Sequence, residues 1–138
     1  MKKFSRFTVV IFAIAGVSGA VSVALAAFAD HGLAQRVADG PRAVRLFMQA
    51  ADFELKHALA AIVAALSAER VAEGGGYKAF RGAAMLFTAG AVLFPSALYT
   101  SALGGPAFWA PWGGTAAIAG WICFTIAAAL SLRKGGAA

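Results

Sequence analysis

Residues 7–29 read FTVVIFAIAGVSGAVSVALAAFA, an uncharged and mostly apolar run preceded by Lys2, Lys3 and Arg6. At about 1.5 Å per residue, such a helix exceeds the ~30 Å hydrocarbon thickness of a bilayer. A secretory signal peptide is the competing reading, since the basic start and the small residues Ala24, Ala26, Ala27 and Ala29 suit one. A signal core runs to about 7–15 residues, however, and this run is longer. It is therefore read as a retained transmembrane helix.

The whole chain agrees with that reading. Of its 138 residues, 61% are hydrophobic and 13% charged, against roughly 45–50% and about 25% in soluble domains. So little charge cannot clothe the surface of a small soluble domain. A cytosolic enzyme, a disulfide-stapled secreted module and a disordered tail are all poor fits. The net charge of +6 comes from 12 Lys+Arg against 6 Asp+Glu. No Lys or Arg falls within 7–35 or 82–132, so the excess flanks apolar stretches instead of forming a nucleic-acid-binding face. Cys123 is the single cysteine, which excludes an intrachain disulfide and a cysteine-based metal motif.

Outward from the first run, Asp30–Gly40 is a polar connector ending at Pro41, a residue suited to the first turn of a helix. Val44, Phe47, Met48, Ala51, Leu55 and Ile62 then share one helix face, with Arg42, Arg45, Gln49, Asp52 and Lys56 opposite. The first four turns are amphipathic and suit the membrane–water interface. Beyond His57 the helix is apolar all round to Ala68, so a span must borrow turns at both ends, about 53–72. That places Glu54 near an end of it. Gly74, Gly75 and Gly76 end this segment. A third run, 80–103, contains Pro95, which a membrane helix tolerates with a kink. An uncharged turn follows with Trp109 and Trp112, expected interfacial anchors. The fourth run, about 114–132, closes with Arg133 and Lys134.

The expected fold is an all-α membrane protein, a single domain over 1–138 with four transmembrane helices at about 7–29, 53–72, 80–103 and 114–132. An amphipathic interfacial extension precedes the second. With both termini in the cytoplasm, eight Lys+Arg lie inside and four outside, the arrangement that the positive-inside rule favours.

Chemistry-bearing residues are few. His31 follows the first span, and Glu54 and His57 share a face of the second at i, i+3 spacing. Di-iron bundles use Glu-x-x-His, but with two copies and further carboxylates. His31, Glu54 and His57 are thus weak candidates for a metal site or proton relay, and a helix-locking hydrogen-bond cluster is the better-supported reading. No catalytic residue and no cofactor is assigned. Ala15, Gly16, Gly19 and Ala20 on the first span, and Gly113, Gly114, Ala117 and Gly120 on the fourth, form small edges for close helix packing within the chain or in a dimer.

The polar islands carry a family resemblance. Ala29-Asp30-His31-Gly32-Leu33, Lys56-His57-Ala58-Leu59, Ser96-Ala97-Leu98-Tyr99 and Pro111-Trp112-Gly113-Gly114 with Gly120-Trp121 together resemble the domain-of-unknown-function 423 family. These are small bacterial inner-membrane proteins related to the eukaryotic transmembrane protein 256. The resemblance implies four spans with the first retained. His31, Glu54, His57, Tyr99, Gly113 and Gly114 are expected to form a structural polar motif. Asp30, Lys56, Pro95 and Ala97 depart from the family pattern. It implies no activity.

The expected function is accordingly non-enzymatic: an accessory or assembly subunit of the inner membrane, in contact with lipid and with a larger complex or further copies of itself, and not with nucleic acid. A small oligomeric transporter or channel is the alternative, and a histidine-held metal or haem site a third.

Overall fold

Ser5 opens the first helix by accepting a hydrogen bond from the Thr8 amide, and Asp39 opens the second by accepting one from the Arg42 amide. The computed structural model describes residues 3–135, with side chains to Leu132. Of the charges in the orientation count, Lys2 and the side chains of Arg133 and Lys134 lie outside the described residues. Four long helices follow one another: α1 (Arg6–Asp30), α2 (Gly40–Arg70), α3 (Gly75–Ala102) and α4 (Ala110–Gly135). One 3-10 turn, Leu33–Gln35, joins α1 to α2, and there is no strand among the described residues.

Three of the four helices, α1, α3 and α4, are long and apolar enough to cross a membrane, with mean hydropathy of 2.4, 1.5 and 1.9 over their best windows. The longest, α2, is diluted by the charges of its first half. It is nevertheless one unbroken helix. The half read as an interfacial extension buries Ala43, Phe47, Ala50 and Ala51. In α3, Pro95 is buried inside a helix that continues to Ala102.

Gly40 explains how the short connector fits. A Cβ there would stand 2.2 Å from the Ala34 carbonyl oxygen, so the connector folds directly onto the start of α2.

The α2 and α3 helices form the central pair, with α1 packed on α2 and α4 on α3. Alanines make this closeness feasible: Ala61, Ala64, Ala65, Ala83 and Ala84 are all fully buried around Phe87. The α3–α4 seam is closer still. A Cβ on Gly113 would lie 2.3 Å from the Phe94 amide nitrogen, and one on Gly120 would lie 2.7 Å from the Phe87 ring. Gly90 faces Ala117 at 3.0 Å in the same sense. The small edge of the fourth run is thus spent within the chain. Gly114 is less crowded, 3.9 Å from Phe94. Of Ala15, Gly16, Gly19 and Ala20 on α1 only Ala15 is buried, and Gly16 has nothing within 4 Å.

Candidate functional site

The antiparallel run of α1 along α2 sets the position of the buried acid. Thr8 Oγ1 donates to Glu69 Oε1 at 2.6 Å near one end, and Ser22 Oγ donates to the Ala51 carbonyl at 2.9 Å further along. Gly19 lies against Leu55, and Ala29 shares a cluster with Ala43 and Phe47 at the other end. Between these points Ser18, the central residue of α1, faces Glu54. Glu54 is 6% exposed and accepts a 3.0 Å hydrogen bond from the Tyr99 hydroxyl of α3. Three helices therefore meet at one carboxyl group. The sequence places Glu54 near an end of the second span, whereas in the structure it is level with the middle of α1.

Beside this carboxyl the helices α1 and α3 touch only sparingly, which leaves a furrow of about 230 Å³. Val17, Val21 and Val92 form its rims, and Ser18, Glu54 and Tyr99 its floor. Tyr99 is itself held by Phe47, with ring centres 4.9 Å apart.

His57, three residues on, has other partners. Its ring stacks on Phe53 at 3.9 Å, and its Nδ1–H donates to the Phe53 carbonyl at 2.9 Å. Phe87 of α3 and Trp121 of α4 are the further rings around it. His31 is exposed just past the end of α1. Glu54 and Tyr99 are brought together; His31 and His57 join neither. Among the described residues no group of three His, Cys, Asp or Glu is placed to hold a metal ion.

The two tryptophans also differ. Trp112 is 71% exposed at the start of α4. Trp109 is half-buried and its indole N–H donates to Ser96 Oγ at 3.1 Å, tying the α3–α4 turn to α3.

Sequence reasoning missed Glu69. Its carboxylate accepts from Thr8 and, at 3.1 Å, from the Ser5 amide, so it sits at the positive end of the α1 dipole. Nearby, Arg81 of α3 lies 4.1 Å over the Phe7 ring and donates to the Tyr77 hydroxyl. The signal available was weak: Ser5-x-x-Thr8 marks a helix start, but nothing local points to a carboxylate sixty residues away.

A family model described as "Protein of unknown function (DUF423)" matches residues 25–120, most of the chain and all four motifs named above except the last residue of the fourth. The chain belongs to this family. Comparison with curated proteins and with solved structures finds no match in either.

Proposed function

For this member of the DUF423 family we propose the role of a small four-span protein of the bacterial inner membrane. It acts without chemistry of its own, as an accessory or assembly subunit of a larger membrane complex. The outer face of α2 carries this reading. Because α2 accompanies α1 from Glu69 to Ala43, a membrane crossed by α1 is crossed by α2 as well. At the level of the second half of α1, whose outward residues Val21, Val23 and Phe28 are apolar, α2 exposes Arg45, Gln49, Asp52 and Lys56. The Asp52–Lys56 ion pair, 2.7 Å long, leaves its side chains 62% and 68% exposed. Polar groups at this depth are costly against hydrocarbon, and they face protein or water instead. A partner covering this face satisfies them.

A photo-crosslinker at Gln49, used in native membranes, tests the reading, with Val10 on the apolar face of α1 as control. The expected product is a discrete adduct with one different polypeptide from Gln49 and none from Val10. Adducts with a second copy of the chain support the oligomeric transporter or channel instead, and no adduct overturns both.

The Lys and Arg distribution supports cytoplasmic termini. Fusing a reporter active only outside the cytoplasm to the C-terminus is expected to give background activity. Strong activity reverses the orientation.

A further inference from the structure

Glu54 accepts a hydrogen bond from the Tyr99 hydroxyl and lies beside the Ser18 hydroxyl, and both are neutral. No Lys, Arg or His among the described residues pairs with it, and its neighbour Lys56 is turned to Asp52. A carboxylate withdrawn from water normally has a cation beside it or surrenders its charge. Glu54 can be approached from outside the bundle. The furrow above Glu54 opens outward between α1 and α3, with Val17 65%, Val92 46% and Val21 39% exposed along its rims.

The furrow does not stop at Glu54. A second hollow of about 330 Å³ is lined by Ala13, Ile14, Val17, Ser18 and Val92. It shares Val17, Ser18 and Val92 with the first, so the two hollows adjoin along α1. Both walls belong to helices apolar enough to cross a membrane. The mouth is therefore reached from the hydrocarbon, by a molecule that dissolves there.

The geometry points to a binding site for an amphipathic organic cation in the furrow between α1 and α3, its ammonium group paired with the Glu54 carboxylate and its apolar tail lying along α1 toward Ala13. An anion finds no positive group among the residues that line the furrow. A neutral alcohol can donate one hydrogen bond to the floor but leaves the carboxylate charge unbalanced, whereas an ammonium group donates and neutralises it at once. The site is separate from the α2 face on which the accessory role rests.

The test uses the full-length protein in phosphatidylcholine nanodiscs and octylammonium as probe, with octanol and octyl sulfate as the neutral and anionic controls. Dicyclohexylcarbodiimide, which adds to protonated carboxyls in apolar surroundings, is expected to label Glu54, read by peptide mass spectrometry. Octylammonium is expected to protect it about tenfold, and the two controls less than about twofold. In flow dialysis, Glu54→Gln is expected to lose binding of radiolabelled octylammonium while keeping the helical circular dichroism of the parent. Val92→Trp, which plugs the furrow and leaves Glu54 in place, is expected to lose it too. Equal protection by octanol, or binding unchanged in Glu54→Gln, overturns the proposal.

Discussion

Gly113→Ala is expected to unseat α4 from α3. The added methyl would stand 2.3 Å from the Phe94 amide nitrogen and 2.8 Å from its Cα, and backbone atoms cannot turn aside as a side chain does. The helices must separate, and the contacts on either side, Gly90 with Ala117 and Gly120 with Phe87, loosen with them. Overpacking of this kind costs about 3 kcal/mol, a large share of the stability of a small domain. Gly16→Ala on α1 is the matched control, because its methyl meets nothing within 4 Å. There the change removes a helix glycine and is expected to leave stability level or raise it by up to about 1 kcal/mol. Unfolding both variants by titration into a denaturing detergent separates the two effects. Equal stabilities would mean that α3 and α4 do not meet at Gly113.

Tyr99→Phe is expected to destabilise the protein by about 2 kcal/mol, because it leaves the buried Glu54 carboxyl without its closest donor. Glu54→Ala strands the Tyr99 hydroxyl and removes packing between three helices, so its cost is at least as great. The double variant is expected to cost less than the two single changes added together, with a coupling of about 1 kcal/mol. Glu54→Gln keeps an acceptor for Tyr99 and is expected to be milder than Glu54→Ala. The same unfolding titration reads all four proteins. Strictly additive losses would show that Glu54 and Tyr99 do not act on one another.

Much of this fold is legible from local patterns. The run from Phe7 to Ala29, the helix start at Asp39-Gly40-Pro41 and the break at Gly74-Gly75-Gly76 each depend on residues close in sequence, although Gly75 and Gly76 already belong to α3. Hydropathy, capping and backbone freedom are local properties, and α1, α2 and α3 begin near those marks. The small edge at Gly113, Ala117 and Gly120 was likewise readable as a packing surface, although its partner was not. Trp109 was read as an interfacial anchor, but its bond to Ser96 depends on a turn whose path no periodicity reports.

The candidate site divides along the same line. Glu54 stood out by its spacing to His57, and Tyr99 only as part of a family motif; their pairing across α2 and α3 came from the structure. Glu54 and His57 share a helix face by spacing, yet one turns to α1 and α3 and the other to Phe53, Phe87 and Trp121. A shift of three residues is about 300° around a helix at 3.6 residues per turn, so adjacent positions on one broad face can serve different neighbours.

By itself the sequence determined that this is an apolar, all-helical chain with its charges at helix ends and along one face of α2, because hydrophobicity and helix periodicity are written residue by residue. Only the tertiary structure decided that Glu54 lies level with the middle of α1, beneath an open furrow. That level depends on how far α1 slides along α2 before Thr8 meets Glu69 and Ser22 meets Ala51. Axial register between helices is set by contacts between residues far apart in the chain, and no local pattern encodes it.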